Sequence, residues 1–462
     1  MMKLTRKVCL LSLLFPALLN GQETGLLRFN PDRTAKESEA ALWGGVEEGR
    51  FKPTHAALFQ WSAGADAKIV RHGKNTSWAG ALSFEQATGT QMSSSMLLEP
   101  GYYPFDILEF PRGLKSRQDV SLEAGFLSDL GYEWAAGLKA SVKGAHVGKQ
   151  NAVPHSSFGL DAKIAPVLTY VMDDDMGLVS SYFARLRTEN LKADEAAGDL
   201  FLDEGLRYGT YQALGGNGVF PVREFSHGLS ELLYSPEVSV GFDIAWKRGQ
   251  AGGKDCERFR FPGSTISASF QHTVLADAAD HTYRISYKRQ RDQLREIGAD
   301  PGFKALSDRR ERNLGLKYEA RFVQGMLKNI GIDLDGSQWL ERASVTVGDQ
   351  VLRYTGTATA FTAFAFGPVD LDVNFQLGNG WWRDRGKAGQ EDSVQSGRLT
   401  DDWLKKMDYL MARRMGLGGS LTGHISSSLY VQLYAYWHHA FDTTLLGGKN
   451  REIATLKVGY KF

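Results

Sequence analysis

The chain predicts an all-β fold, a transmembrane antiparallel β-barrel with long extracellular loops and short periplasmic turns. Three observations carry that expectation. An apolar–polar alternation with a period of two recurs along most of the 462 residues. The N-terminus, MMKLTRKVCLLSLLFPALLNGQETG, reads as an export signal. The C-terminus, REIATLKVGYKF, ends on Phe462 while the alternation is still running.

In the N-terminal stretch Lys3, Arg6 and Lys7 lead an apolar run from Val8 to Leu19. That run is shorter than the roughly 20 residues a spanning helix needs. Cleavage after Gly21 is expected, which makes 1–21 a signal peptide, 22–41 an N-terminal periplasmic segment and 42–462 the barrel. Only Cys256 then remains, so no intramolecular disulfide is expected. The 54 basic and 53 acidic residues leave a net charge of +1, which argues against nucleic acid as a partner. A hydrophobic share of 42 %, with 11 % aromatics and 51 glycines, suits strands that are apolar on one face only.

The strand segments follow in order. LFQWSAGADAKIV sets Phe59, Trp61, Ala63, Ala65, Ala67 and Ile69 against Gln60, Ser62, Asp66 and Lys68. YEWAAGLKASVKG alternates Trp134, Leu138 and Val142 with Glu133, Lys139, Ser141 and Lys143. PEVSVGFDIAWK, NLGLKYEARF and VDLDVNFQL repeat the pattern at 236–247, 313–322 and 369–377. Such lengths match the 9–11 residues a tilted strand needs to cross a bilayer, longer than the strands of soluble sandwiches. Trp61, Trp134, Tyr170, Trp246 and Trp437 stand near segment ends, as interfacial girdles do.

Connections fall into two classes. Short turns are expected at 128–131, 173–175, 235–236, 367–368 and 425–428, with long loops at about 88–118, 188–223, 289–311 and 378–410. Their alternation assigns the short class to the periplasm. It yields 18 strands, 16 if two weak segments are not strands, and 14 as a lower bound; 323–343 is long for a periplasmic turn. REIATLKVGYKF is then the closing strand. Its Phe462, Tyr460 and Val458 resemble the C-terminal signal read by the barrel-assembly machinery.

An outward apolar set sends the polar set into the lumen. The inward candidates carry both signs and include Lys317, Glu319, Arg321, Asp370, Asp372 and Asn374. In SLYVQLYAYWHH the alternation turns Tyr430, Gln432, Tyr434, Tyr436 and His438 inward as a ladder, suited either to sugars and aromatic solutes or to packing against an inserted loop. Barrels of this size hold an open aqueous lumen or a plugged one. Among the loops, GNGWWRDRGKAGQEDS offers Trp381, Trp382, Arg383 and Arg385 for recognition, and 289–312 is charge-dense and partly helix-like. His424 and His438 fall on neighbouring strands without a G-x-S-x-G motif, so no enzyme, cofactor or metal is expected.

Several stretches together resemble an uncharacterised Bacteroidota family of outer-membrane β-barrels. They are GGVEEGRFKP (44–53), WAGALSFEQ (78–86), EPGYYPFDILEFPRG (99–113), FRFPGSTISASF (259–270) and the terminal GYKF. The resemblance implies association with TonB-dependent uptake systems. The chain is too short to be such a receptor itself, with 22 strands and a plug. The expected function is passage of a small polar solute across the outer membrane of a Gram-negative bacterium, in a porin-like manner. The alternative is an accessory barrel that docks a surface lipoprotein, a TonB-dependent receptor or a secretion component. Outer-membrane lipid is the expected surrounding in either case.

Overall fold

A strand that is apolar on one face leaves its backbone groups to be paired at both edges, and in a membrane only closure removes the last open edge. The structure, a computed structural model, describes residues 38–462 except 54, 74, 132, 152–153, 173–175, 194–200, 204–207, 211–218, 253–258, 298–302, 344–349 and 385–403. The signal-peptide expectation therefore lies outside the described residues.

The first half of the wall is β1 (Ser38–Gly49), β2 (Phe59–His72), β3 (Thr76–Ser95), β4 (Ile107–Gly131), β5 (Trp134–Lys149), β6 (His155–Val171) and β7 (Gly177–Ala193). Two short strands, β8 (Phe201–Asp203) and β9 (Tyr208–Thr210), form a hairpin that touches β4. The wall resumes with β10 (Val219–Tyr234), β11 (Val238–Ala251), β12 (Phe259–Val274), β13 (Ala279–Ile297) and β14 (Phe303–Phe322). It ends with β15 (Leu327–Ala343), β16 (Gln350–Phe366), β17 (Val369–Asp384), β18 (Arg414–His424), β19 (Leu429–Ala440) and β20 (Asn450–Lys461).

Each wall strand pairs antiparallel with the next, β7 pairs with β10 across the small hairpin, and β20 pairs with both β19 and β1. Eighteen strands thus close into one barrel. The closing register sets Leu42 opposite Val458 and Glu39 opposite Lys461.

The outer face is a continuous apolar belt. Leu42, Leu82, Phe126, Ile164, Leu186, Phe242, Ile285, Leu316, Phe375, Leu421 and Leu456 are all exposed on it. A belt of that extent is stable against lipid rather than water, and the protein is an outer-membrane β-barrel. Trp134 stacks on Tyr170 (4.7 Å) at the short-turn end. Turns of two to five residues join the strands at the end where Ser38 and Lys461 both lie, and the longer loops sit at the other, extracellular end. In the two-residue turn after β16, Gly367 takes φ 65°, a conformation that favours glycine.

Four expectations are corrected. Residues 38–41, expected in the periplasmic segment, are the start of β1. The stretch 323–343 is a short turn followed by β15, whose Ile330, Ile332 and Leu334 point outward. The 289–312 stretch is not helix-like: β13 runs on to Ile297 and β14 starts at Phe303. Likewise the expected loops are shorter: 378–384 belongs to β17, 88–95 and 107–118 to β3 and β4, and 188–193 and 219–223 to β7 and β10. In the last two cases the strand outruns the bilayer. Neither face meets lipid there, so the alternation that marks a strand in the sequence fades while the backbone pairing continues.

Candidate functional site

The loop 96–106, between β3 and β4, folds inward across the lumen. Its apolar side chains Met96, Leu97, Tyr103 and Phe105 pack with Ile107 against Leu191, Phe220, Val222, Phe259, Phe261 and Leu294, all on the inner wall of β7 and β10–β13. Phe105 lies 5.6 Å from Phe261 and 6.2 Å from Phe220 between ring centroids. Four consecutive aromatic or proline residues, YYPF at 102–105, make a solvated loop unfavourable and a buried one favourable.

Polar contacts seat the loop from β4 round to β14. Arg117 donates to the Leu98 carbonyl (2.7 Å), and the Leu98 amide donates to Glu189 (2.7 Å). Glu99 pairs with Arg187 (3.0 Å), whose guanidinium lies 3.9 Å from the centre of the Tyr102 ring. The Tyr102 hydroxyl donates to Glu224 (2.8 Å). On the far side Arg309 donates to the carbonyls of Gly101, Tyr102 and Tyr103 at 3.2–3.3 Å, while its other contact is buried Asp292 (3.0 Å), itself paired with Lys247 (2.9 Å). Burial, and after it the Glu224 carboxylate, push the Tyr102 hydroxyl well above the usual tyrosine range; burial and Glu189 do the same for Tyr103. Both rings therefore stay neutral and Tyr102 remains a donor. Where the loop enters β4, Glu109 is held between Lys115 (2.7 Å) and Lys149 (2.5 Å), all three buried.

The opposite inner wall, β14–β20 with β1, carries the polar residues singled out from the sequence. Lys317 and Arg321 flank Glu319 on β14 (3.3 and 2.7 Å), and the Arg321 side chain is 69 % exposed. Asp370 meets His424 (2.9 Å) near the periplasmic end, with its side chain 45 % exposed. Ser420 donates to Asp372 (2.7 Å), and Gln432 donates to Ser420 (3.4 Å). Tyr436 donates to Gln376 (3.0 Å), and Asn374 lies beside Gly418 and Tyr436. Tyr430 donates to Glu39 across the closing seam, where Lys457 also reaches Glu39 (3.5 Å). Tyr434 stands between them, opposite Ser420 and Thr455. These side chains thus bond along and across neighbouring strands; Glu319, Ser420 and Tyr430 are buried among them, while Lys317, Arg321, Asp370 and His424 remain accessible from the lumen. The loop side is sealed by comparison, with Glu189, Glu224 and Asp292 at most 2 % exposed.

The extracellular end of the polar wall is capped. Phe51 packs on Tyr409 (5.0 Å) and on His438 (5.4 Å), joining the 50–58 loop, a short helix at 404–411 and the top of β19. Ala412, Ala440 and Leu446 complete this cluster. The uppermost rung of the ladder, His438, is therefore packed against inserted loops, whereas Gln432 and Tyr434 lie below them.

The expected loop-recognition residues are placed differently. Trp381 is an outward strand residue of β17, 54 % exposed and stacked on Tyr354 at 4.4 Å. Trp382 follows on the inner side and Arg383 on the outer side of the same strand, and Arg385 lies outside the described residues. Val458 and Tyr460 face outward on β20, with Phe462 stacked on Tyr460 (5.8 Å). The 96–106 loop and its anchors Glu189, Glu224 and Arg309 were not singled out by the alternation. The signal that could have found them is the dense aromatic run within a segment otherwise read as loop. Among the described residues no three His, Cys, Asp or Glu side chains gather as a metal site.

No family model and no curated protein matches the chain. Among solved structures it is similar to the FrpB iron transporter from Neisseria meningitidis, with 9 % identity over 96 % of this chain and 83 % of that one, at a TM-score of 0.45. It is also similar to the siderophore receptor PiuA from Acinetobacter baumannii, with 7 % identity over 93 % of this chain and 82 % of that one, at a TM-score of 0.42. CdiB from Acinetobacter baumannii is similar at 10 % identity over 93 % of this chain and 60 % of that one, at a TM-score of 0.37.

Proposed function

We propose that this barrel passes small polar solutes across the outer membrane, along the side of the lumen lined by β14–β20, with the 96–106 loop and the Phe51–Tyr409–His438 cap at the top of β19 narrowing the path. The observation that carries the reading is the asymmetry of the inner wall. One side is sealed by a loop held through buried charges, and the other leaves carboxylate, cationic and imidazole groups, Asp370, Lys317, Arg321 and His424, accessible. Mixed signs replace part of a solute's hydration shell without selecting strongly for cations or anions. The resemblance to the Bacteroidota barrel family and the N-terminal export pattern agree with this placement, and we take both as part of the proposal.

Single-channel recording of the full chain refolded into planar bilayers tests it. Discrete steps with weak ion selectivity are expected, and deleting 99–104 is expected to enlarge them. Silence from a correctly folded barrel, with and without that deletion, would rule the reading out. It would favour an accessory barrel that docks a surface lipoprotein, a TonB-dependent receptor or a secretion component.

A further inference from the structure

On the outer face, four of the five strands β10–β14 end their apolar belts in the same way; β12, between them, carries Ser264 and Pro262 above Ile266. Phe225 on β10 is followed outward and upward by Arg223, Trp246 on β11 by Arg248, Tyr287 on β13 by Arg289, and Leu314 on β14 by Arg312. All four arginines are exposed, and each stands two residues beyond an exposed apolar side chain, at the extracellular edge of the belt. One step higher, Arg291 and Arg310 take outward positions on β13 and β14.

The registers make this arrangement costly for the protein alone. Arg289 is directly opposite Arg312, and Arg291 opposite Arg310. Like charges at directly opposed positions destabilise a strand pair. Asp308 offsets one of these pairs, accepting from Arg291 (2.9 Å) and Arg310 (2.8 Å). It is the one outward carboxylate among the described residues at that level on β10–β14. Arg383 on β17 also stands outward two residues beyond an exposed aromatic, Trp381, but it faces Leu352. Among the described residues directly opposed arginines occur only on β12–β14, and at the closing seam Glu48 on β1 faces Glu452 on β20. The basic arc is thus a local feature, about 20 Å wide at the usual strand spacing.

We propose that this arc binds a phosphorylated glycolipid of the outer leaflet, with its phosphates on Arg223, Arg248, Arg289 and Arg312 and its acyl chains along the belt below. Arginine is the side chain suited to the task, because its planar fork matches phosphate oxygens two at a time. Trp246 and Tyr287 suit the interface itself, each offering an apolar ring with a polar atom at its tip. A free anion would use the arginines and leave the adjoining belt unused, so the commitment is to a lipid. This reading concerns the outer wall and is independent of what the lumen carries.

The test uses the full chain in detergent and native mass spectrometry, with bisphosphorylated lipid A, dephosphorylated lipid A and inorganic phosphate as probes. Bound bisphosphorylated lipid A is expected to survive delipidation, and the dephosphorylated form is expected to be lost. In the variant Arg223→Gln, Arg248→Gln, Arg289→Gln, Arg312→Gln, retention is expected to fall roughly tenfold or more. Neutralising Glu48 and Glu452 to glutamine should leave it unchanged. Equal retention of the two lipid forms by the native protein overturns the proposal, and needs no variant to fold. Unchanged retention in the folded fourfold variant overturns it too, as does equal protection by inorganic phosphate, which would mark an anion site without the lipid.

Discussion

Arg309 shows how much a single side chain can organise when every group around it is short of partners. It satisfies three consecutive loop carbonyls and one oxygen of Asp292, whose side chain is 1 % exposed. Replacing Arg309 with Ala leaves those carbonyls without their donor and Asp292 with Lys247 as its remaining cation. The expected cost is about 2–3 kcal/mol. It should appear as protease cleavage within 96–106 of an otherwise folded barrel, together with larger conductance steps. His55, in the capping loop 50–58, makes a prediction about pH. Burial, reinforced by Lys406 and Lys115, pushes its imidazole down to about 4. The folded loop therefore holds it neutral between that value and about 6.5, while the released loop would take up a proton. Stability of the folded loop is full above about 6.5 and falls as pH drops towards 4, by about 1–2 kcal/mol at pH 5. The protection factors of amides in 50–58, exchange rates divided into the intrinsic rate at each pH, should be lower at pH 5 than at pH 7.5, and the His55→Asn variant should lose that difference.

At the scale of elements, strands and loop are fitted to each other through close approaches that a side chain would forbid. A Cβ on Gly249 of β11 would lie 1.8 Å from the ring of Phe261, which is fully buried against the inserted loop. The Gly249→Val variant must displace Phe261 and with it the floor of the loop's apolar seat, costing about 1–3 kcal/mol as overpacked sites do. The expected signature is a lowered unfolding midpoint and easier cleavage within 96–106, with β-sheet content unchanged by circular dichroism. Intact loop protection in this variant would mean that Phe261 does not support the seat. The same scale explains why the charge-dense stretch around 289–312 is a pair of strands. Above the bilayer both faces of β13 and β14 are wet or packed on the loop, so polar residues occupy most positions, Leu294 excepted, while the pairing continues through a register shift at Leu294/Arg295 to Ile297.

For the whole molecule the decisive feature is closure. β20 gives its two edges to β19 and β1, the Phe462 amide bonds to the Ser38 carbonyl (2.9 Å), and Tyr430, Glu39 and Lys457 tie the seam from inside. Removing 450–462 leaves two unpaired edges in lipid, each backbone group of which would cost several kcal/mol. No heat-modifiable folded band is then expected on refolding into vesicles, whereas the full chain should show one. A folded, heat-modifiable truncated barrel would contradict the closing role of this strand.

The sequence by itself determined the class of fold, the membrane-facing side of the strands whose alternation it marks and the closing strand, but not β15. Alternation is a local property: wherever one face meets lipid and the other water, every second residue must be apolar, and segments such as VDLDVNFQL state this directly. It also determined which polar residues share the inner wall, because parity carries from one strand to the next. What only the tertiary structure decided is where the chain departs from that rule. The loop 96–106 is built of residues whose partners, from Arg117 to Arg309, are distant in sequence and meet only across a closed lumen. The two-residue period contains nothing about such meetings. The same holds for the row of outward arginines, which are single residues on separate strands until the registers bring them side by side.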